Sequence, residues 1–384
     1  MVAYYFFFLT LTFLAFFELN LKSNLRKIVS IIALVLVLVF VAGRYQLGID
    51  WLFYSDFYED PQFTSLLIEP GYLILSKVFS YFNVPFIVFY TMMSIFGVVV
   101  VYHFFNKLSP YPVFCLLLYF LTSLAFTFEA LRQNIALSII LLATLFYIKK
   151  RTSYYFITVL IASLFHVSAL LMLIVPVVVK SRYLVRCAIP LLIIGMVLVI
   201  LDISLIRWMF EFLHLIFNNG YSAKVLHYLS ETGDVKALTF SLLIKVFLFI
   251  VIYYHKDRIS TAMSHWLSIQ EFDKLLGFLI LFLLMSVFMA DTGTLISRIA
   301  NYFISIYTLF LSYLVFIYVR NFDRTVIGFL IVAIFSLSFY RFTLNSYFIK
   351  QYLPYRNVLT SSSLPSNIDD RKRVESIDLH WSSK

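Results

Sequence analysis

Long apolar runs separated by short polar connections make up most of this chain. Runs of about 18 or more apolar residues recur as far as residue 340, and each is long enough to cross roughly 30 Å of hydrocarbon as a helix. The apolar residues are continuous rather than alternating, which favours helices over a closed β-barrel. The pattern therefore predicts an all-α polytopic membrane protein.

The apolar runs predict about 12 transmembrane helices. We expect them at residues 2–19, 28–43, 84–105, 112–128, 131–148, two short spans within 153–180, 187–206, 237–254, 275–290, 296–319 and 325–340. Residues 153–180 could also form one long helix, but two short spans broken at Phe165–Ser168 keep the later topology consistent. We also expect one or two short re-entrant or interfacial helices, the first at residues 71–82, which are apolar but too short to cross.

Polar segments divide the chain further. Two larger loops are predicted at residues 44–78 and about 207–236. Residues 1–356 are expected to form one membrane domain, and residues 357–384 a polar, mobile C-terminal tail. The N-terminal segment has no basic leader or small-residue cleavage site, so it is expected to be retained as the first helix. The sequence has no internal repeat of the kind found in inverted-repeat transporters.

The distribution of charge predicts the orientation in the membrane. One set of alternate connections holds many more basic than acidic residues, whereas the opposite set is nearly balanced. The positive-inside rule places the basic set in the cytoplasm, and hence both termini and both larger loops outside. The net charge of +10 thus reflects membrane orientation rather than nucleic-acid binding. Cys115 and Cys187 both lie in apolar runs, so no disulfide framework is expected.

The first larger loop gathers polar and aromatic residues. It carries Arg44, Asp50 and Glu69, interleaved with Tyr45, Trp51 and Tyr54. Aromatic rings stack on sugar faces, and charged groups bind hydroxyls and phosphates, so this composition suits a carbohydrate site. The alternative interpretation is an interfacial loop, because Trp and Tyr also collect at the bilayer boundary.

Other polar residues are predicted on the same outer side. They are Arg132, His166, Arg298 and Arg341, whereas Lys245 is the one charged residue clearly in the middle of a predicted span. A transporter needs polar groups near the midplane that both sides can reach. Polar groups clustered on one side of an otherwise apolar protein instead favour a catalyst that acts on that side of the membrane.

Six sequence stretches, in this order, resemble a known family. They are RYQLGID at 44–50 followed by Trp51 and Tyr54, EPGYLIL at 69–75, LRQNIAL at 131–137, ASLFHVSAL at 162–170, SRIANYF at 297–303 and YLPY at 352–355. Together they resemble the EpsG family of Wzy-type polysaccharide polymerases over residues from about 40 to 356. The chain departs from the pattern at Ile49, where such proteins often carry a small polar residue, and in its longer polar tail.

This resemblance implies a glycosyltransferase that acts outside the bacterial cytoplasmic (inner) membrane. Such proteins move a growing glycan from undecaprenyl diphosphate to a sugar hydroxyl of a lipid-linked repeat unit, in the synthesis of O-antigen (lipopolysaccharide), capsule or exopolysaccharide. The implied partners are undecaprenyl-diphosphate-linked oligosaccharides as donor and acceptor, the lipid bilayer, a chain-length regulator and a flippase. Neither nucleic acid nor a cofactor is expected.

This chemistry needs positive charge for the diphosphate and a base for the acceptor hydroxyl. Arginine suits the diphosphate, because its fork binds phosphate oxygens bidentately and stays charged at low dielectric. The expected substrate-binding residues are Arg44, Arg132, Gln133, Arg298, Arg341, Tyr45, Trp51 and Tyr54. His166, Asp50 and Glu69 compete as general base. We expect Arg132 and Arg298 to hold the diphosphate without a metal, because the outer loops lack a tight cluster of metal ligands.

Most candidates also have a structural interpretation. Arg132 could pair with Glu129 at i+3, and His166 could be a structural histidine in an apolar run. Asp50 and Glu69 could cap short helices. Further alternatives are a local cap or ion pair for Arg298, next to Asp291, Thr292 and Ser297, and solvated loop charges for Asp56, Glu59 and Asp60.

Other functional classes remain as alternatives. An O-antigen ligase-like transferase shares the outward arginines but typically carries a larger outer loop. A flippase for lipid-linked oligosaccharides needs charges along a central cavity, which these clean apolar runs do not suggest. A membrane acyltransferase is a third alternative, although its histidine motif on the cytoplasmic side is not apparent in the sequence.

Overall fold

The structure, a computed structural model, describes residues 1–60, 68–180, 182–217 and 238–360. Every regular element within these ranges is a helix, and one isolated antiparallel bridge joins Arg44 to Asn357. The predicted all-α class is therefore confirmed for the described part of the chain.

Within each described range, short connections join successive helices. They are α1 (Val2–Asn20), α2 (Ser23–Val37) continued by a π-helical turn (Leu38–Ala42), α3 (Asp50–Glu59), α4 (Pro70–Tyr81), α5 (Phe86–Leu108), α6 (Pro112–Glu129), α7 (Leu131–Ile148), α8 (Thr152–Ser163), a 3-10 helix (Val167–Leu173), α9 (Val175–Val179), α10 (Arg182–Ile200), α11 (Leu205–Phe217), α12 (Phe240–Tyr254), α13 (Lys256–Ala262), α14 (Ile269–Phe288), α15 (Thr294–Phe316), α16 (Asn321–Thr343) and α17 (Ser346–Tyr352).

Seven helical segments in the described ranges are long and apolar enough to cross a membrane. They are Val2–Asn20, Asn24–Ala42, Phe86–Leu108, Pro112–Glu129, Leu131–Ile148, Leu295–Phe316 and Asn321–Thr343. The count rises to eight if Val167–Val179 and Leu184–Ile200, which meet at a bend of 117°, form one broken span. The chain is thus a membrane protein with several apolar helices, and the figure of about 12 spans stays a prediction.

The structure corrects the two predicted loops and confirms one predicted break. Residues 44–78 contain the helices α3 and α4, of which α4 matches the short helix expected at 71–82. Residues 207–217 belong to helix α11 rather than to a loop, and the rest of that predicted loop lies outside the described residues. The break expected at Phe165–Ser168 is confirmed, because α8 ends at Ser163 and the 3-10 helix begins at Val167.

The first turn of α4 lies directly against this break. The Gly71 backbone N–H donates to the Leu164 carbonyl oxygen at 2.7 Å. A Cβ at position 71 would stand 2.7 Å from the same oxygen, so this approach requires glycine. Glu69 and Pro70, which begin α4, are thereby held next to the chain that leads to His166.

The chain divides into two compact units. The first comprises Met1–Tyr147, Arg151–Leu170 and Tyr318–Lys384, and the second Ile148–Lys150 and Leu171–Ile317. In the first unit, the buried Glu18 carboxylate of α1 accepts backbone N–H bonds from Val113 at 3.0 Å and Phe114 at 3.1 Å. These N–H groups belong to the first turn of α6 and have no partner within that helix, so Glu18 caps α6 from a neighbouring helix.

In the second unit, α10 and α14 approach closely through a glycine. A Cβ at Gly195 would lie 2.6 Å from a methyl carbon of Val287, which is closer than real Cβ atoms approach. Lys245, the mid-span lysine, extends to within 5.8 Å of the centre of the Phe282 ring. The aromatic face partly compensates for the cost of placing an ammonium group among apolar helices.

Candidate functional site

The centre of the candidate site is an ion pair between two of the predicted residues. Arg132 lies in the first turn of α7, and its Nη1 donates to Oε2 of Glu69, which immediately precedes α4. Their side chains are 23% and 17% exposed, so solvent reaches the pair from one side. The guanidinium carbon is 5.9 Å from the ring centres of both Phe53 and Tyr54.

These contacts correct two structural interpretations of the sequence. Arg132 forms its ion pair with Glu69 of another helix rather than with Glu129 at i+3. Glu69 occupies the N-cap position of α4, but its side chain makes no capping hydrogen bond there. Both residues therefore turn away from their own helices and towards each other.

Two buried donors lie beside this ion pair. Among the described residues, neither the Tyr72 hydroxyl nor Nε of Arg132 has a hydrogen-bond acceptor. Burial raises the pKa of Tyr72 well above its usual value, so the hydroxyl keeps its proton at neutral pH. Buried donors without acceptors are costly, and they favour an acceptor such as water or a ligand oxygen at this position.

Asp50 contributes negative charge on the α3 side of the site. It is the first residue of α3, where a carboxylate interacts favourably with the helix dipole. Burial, followed by the charge of Asp50, raises the pKa of the Tyr54 hydroxyl to about 12, whereas Arg132 lowers it. Tyr54 is therefore a neutral hydrogen-bond donor between an anionic and a cationic residue.

The other acidic residues of α3 differ in exposure. Glu59 and Asp60 are exposed, as expected for solvated charges. Asp56 is only 8% exposed, so its interpretation as a solvated loop charge is wrong. The correction follows from the helix itself, which turns Asp56 inwards with Tyr54 and Phe57.

A second carboxylate cluster was missed in the sequence. Oε1 of Glu129, at the end of α6, accepts hydrogen bonds from the hydroxyls of Tyr347, at 2.5 Å, and Tyr352. Burial and then the Glu129 charge raise the pKa of both tyrosines, which therefore remain neutral donors. Gly48, at φ +91°, lies against this carboxylate, because a Cβ there would be 3.0 Å from Cγ of Glu129.

The only sequence signal for this cluster was the presence of Tyr352 in the YLPY stretch. Its partner Glu129 lies 223 residues earlier in the chain. The spacing of charges can pair only residues that are a few positions apart in the sequence. It therefore suggested Arg132, at i+3, as the partner of Glu129.

Arg44 is an interior residue. It is 1% exposed, and its Nη1 donates to the Val41 carbonyl at 2.6 Å and to the Ser94 hydroxyl at 3.0 Å. Its Nη2 donates to the Tyr90 hydroxyl at 2.7 Å and to the Thr127 carbonyl at 3.0 Å. These bonds join the end of α2 to α5 and α6, which is a structural role, and diphosphate binding by Arg44 stays a prediction.

The segment around Arg44 pairs with the C-terminal part of the fold. Tyr45 N–H donates to the Arg356 carbonyl at 3.0 Å, and Val358 N–H donates to the Gly43 carbonyl at 2.8 Å. The Arg356 guanidinium also donates to the Gln46 side chain at 2.7 Å. Two of the motif-like stretches, RYQLGID and YLPY, are thereby adjacent in space although they are some 300 residues apart.

The same pairing extends past the predicted start of the tail. Asn357 is 6% exposed, and its side chain donates to the Val39 carbonyl at 2.7 Å. The folded part of the first unit therefore includes residue 357, and the tail beyond residue 360 lies outside the described residues.

The aromatic residues of the first loop form a buried cluster. The Trp51 ring packs edge-on against Tyr45, Tyr90 and Phe86, with centroid distances of 5.4, 4.5 and 5.1 Å. Trp51, Tyr45 and Tyr54 are all less than 7% exposed. In this conformation the rings pack against one another in the protein interior, and sugar stacking on them stays a prediction.

His166 lies at the break after α8 and is half-buried. Its Nδ1 is 2.6 Å from the Ser168 hydroxyl and accepts the Ser168 backbone N–H at 3.4 Å. A backbone N–H can only donate, so Nδ1 is the acceptor and the neutral ring carries its proton on Nε2. In this conformation the unprotonated nitrogen is Nδ1, which contacts Ser168, whereas a general base has to present that nitrogen to the acceptor hydroxyl.

The remaining predicted residues lie at different places. Gln133 is buried beside Arg132 in α7, and Arg341 is exposed near the end of α16 in the first unit. Arg298 is exposed in the first turns of α15, in the second unit, which is described separately. Within one unit the structure thus brings together Asp50, Tyr54, Glu69 and Arg132.

A metal site does not emerge from the described residues. No group of three or more His, Cys, Asp or Glu side chains within these ranges could hold an ion. Independence from metal stays a prediction that needs its own experiment.

Comparison with known proteins supports one assignment. A model of the EpsG family matches residues 27–357, which is most of the chain and includes every residue of the candidate site. Neither a curated protein nor a solved structure matches the chain. The matched region begins within α2 and ends in the segment that pairs with Arg44 and Tyr45, so it leaves out α1 and covers the described helices that follow α2. The chain therefore belongs to the EpsG family.

Proposed function

We propose that this protein polymerises undecaprenyl-diphosphate-linked oligosaccharide repeat units on the outer face of the bacterial cytoplasmic membrane. Membership of the EpsG family supports a polysaccharide polymerase-like membrane protein. The observation that carries the specific proposal is the partly exposed Arg132–Glu69 pair, at which the Tyr72 hydroxyl and Nε of Arg132 have no acceptor among the described residues. An arginine that can exchange a carboxylate for a diphosphate is what this leaving group needs.

In the proposed reaction, a hydroxyl of the acceptor sugar attacks the anomeric carbon of the donor glycan. A carbon–oxygen bond forms there, and the bond to the diphosphate oxygen breaks with its electron pair on the leaving group. Arg132 stabilises the negative charge that develops on the diphosphate. Because Arg132 then leaves Glu69, the carboxylate loses its cationic partner, becomes more basic and accepts the proton of the attacking hydroxyl.

Other residues of the site have supporting roles in this proposal. Tyr54 and Tyr72 are neutral donors that can bind substrate oxygens, because burial raises the pKa of both. His166 donates from Nε2 to a sugar or phosphate oxygen rather than acting as the base. Asp50 maintains a negative potential on the α3 side, where an acceptor hydroxyl has to lose its proton.

The decisive experiment is polymerisation by the purified protein. The protein would be placed in nanodiscs with lipid-linked repeat units from a polymerase-deficient strain, and glycan length and free undecaprenyl diphosphate would be measured. We expect a ladder of products with one diphosphate released for each linkage formed. Movement of glycans across the membrane without lengthening would instead identify a flippase, and transfer of one unit to another acceptor would identify a ligase-like transferase.

A further inference from the structure

Helix α11 has two chemically different faces. Six large apolar side chains are between 42% and 81% exposed: Leu205, Trp208, Met209, Phe212, Leu215 and Ile216. At about 100° per residue they fall within a sector of roughly 120°. Arg207, Glu211 and His214 fall in a separate sector of roughly 60°, whose centre is about 130° from that of the apolar stripe. A helix that exposes an apolar stripe of this size in water would be strongly disfavoured.

The position of α11 in the chain places it at a membrane boundary. A connection of four residues, 201–204, separates it from the end of α10, which is apolar and belongs to the eighth candidate span. Asp202 lies in this connection, and with Asp291 it lines an open cleft at the end of α10. Two carboxylates at the end of an apolar helix mark the aqueous boundary, because charged groups avoid the hydrocarbon.

The apolar run of α11 is too short for a membrane crossing. In the sequence it ends at Phe217, where Asn218, Asn219 and Gly220 follow, and its 13 residues extend about 20 Å as a helix, compared with roughly 30 Å of hydrocarbon. The helix also has a defined start, since the Ser204 hydroxyl accepts the Arg207 backbone N–H at 3.1 Å. A short, capped helix that begins at the boundary and carries an apolar stripe can bury that stripe only by lying along the membrane.

We propose that α11 is an interfacial helix that lies parallel to the membrane and binds lipid. Trp208, Phe212 and Leu215 enter the acyl-chain boundary, whereas Arg207 and Glu211 face the headgroups and water. A tryptophan on the immersed face agrees with the known preference of this residue for the membrane interface. The inference rests on the second unit alone and does not depend on the proposed reaction.

The charges of α11 specify the kind of lipid surface. Arg207 and Glu211 carry opposite charges, so the polar face has no net attraction for anionic headgroups. The depth of the helix should therefore be the same in zwitterionic and anionic bilayers and should not depend on salt. This distinguishes α11 from basic amphipathic helices, whose binding weakens as salt screens their charges.

Spin labels on single cysteines test this placement. Phe212→Cys and its neighbour Glu211→Cys would be made in the full chain after replacement of Cys115 and Cys187 by Ala. Both labelled positions are exposed, and the change at the buried Cys115 is common to both variants, so it does not affect their comparison. In phosphatidylcholine nanodiscs we expect the label at 212 to collide several-fold more with oxygen than with a water-soluble nickel chelate, and the label at 211 to show the reverse.

Each other outcome overturns the proposal. Equal access of the nickel chelate to both positions would place α11 in water. Protection of the label at 212 from both reagents would mean that protein covers the stripe instead of lipid. A second pair, Leu215→Cys and Arg207→Cys, repeats the test, and a change in depth when half the lipid is phosphatidylglycerol would overturn the charge argument.

Discussion

Exchange of the two partners of the Arg132–Glu69 pair separates a structural role from a catalytic one. In the proposed reaction Arg132 has to hold a diphosphate at a fixed place, while Glu69 has to accept a proton. The double variant Arg132→Glu with Glu69→Arg retains an ion pair between α4 and α7 but reverses its direction. It should restore much of the stability lost in the single variants and still fail to polymerise.

The magnitude follows from the exposure of the pair. Hydrogen bonds to charged groups contribute about 1.5–3 kcal/mol, and removal of one partner leaves the other without compensation. Because solvent reaches both side chains and weakens the interaction, we expect a loss near or below the lower end of this range, about 1–2 kcal/mol, for Arg132→Ala or Glu69→Ala. Activity should fall much further, by roughly 10²–10⁴-fold for loss of the base in Glu69→Gln.

Arg132→Lys is the more specific probe of diphosphate binding. Lysine keeps the positive charge, and hence most of the ion pair, but it lacks the planar fork that binds two phosphate oxygens. We therefore expect Arg132→Lys to unfold at nearly the same temperature as the unmodified protein and to polymerise almost as poorly as Arg132→Ala.

The chain offers a matched control in the Lys149–Glu271 pair. Its atoms are 2.8 Å apart, but the lysine side chain is 58% exposed, and the pair is predicted to be cytoplasmic. Lys149→Ala should cost less than about 1 kcal/mol and leave polymerisation intact. The assay is the length of the glycan ladder in a polymerase-deficient strain, with protein amount from blots and thermal unfolding in detergent. A full ladder from the exchanged pair at normal expression would refute the assignment of both residues.

Three further predictions address other parts of the molecule. His166→Gln keeps a side-chain donor, so it should retain about tenfold more activity than His166→Ala, whereas equal losses would favour the base role. Polymerisation should survive EDTA, and rescue of a chelated enzyme by Mg²⁺ or Mn²⁺ would contradict metal independence. A cysteine at the exposed Glu59 should react with an impermeant maleimide in intact spheroplasts, and reaction only after lysis would reverse the predicted orientation.

Length and continuity of apolar runs were sufficient to predict the seven long helices to within a few residues. Each of these runs exceeds the thickness of the hydrocarbon, so backbone hydrogen bonding leaves few alternatives to a helix. The break at Phe165–Ser168 was also predictable, because two short spans within residues 153–180 keep the later topology consistent, whereas one long helix does not.

Short helices with mixed polarity were the main failure. Helix α3 carries acidic and aromatic residues on all sides, and its sequence has almost no helical periodicity. Helix α11 was interpreted as part of a polar loop because it carries Arg207, Glu211 and His214 within 13 residues. Its apolar residues recur with helical spacing, and this periodicity was the signal that could have identified it.

The site was only partly predictable, because its partners are distant in sequence. Charge type and predicted side of the membrane selected Arg132 and Glu69 as functional residues, but no local pattern joined them across 63 residues. The Glu129 cluster with Tyr347 and Tyr352 had no counterpart in the sequence analysis, since it depends on the return of the C-terminal segment to the end of α6.

Arg44 and Arg132 show how burial distinguishes residues of the same type with the same predicted role. Arg44 is enclosed, and each of its terminal nitrogens donates to two protein oxygens, so a diphosphate would have to displace bonds that join three helices. Arg132 forms an ion pair with one carboxylate, and both side chains are partly exposed. Replacement of the Glu69 carboxylate by a phosphate leaves Arg132 paired with a negative charge, at little structural cost. The two arginines therefore suit different tasks. Arg44 joins the ends of α2, α5 and α6 and thereby positions the start of α7. Arg132 lies in that first turn of α7, where it can reach a substrate.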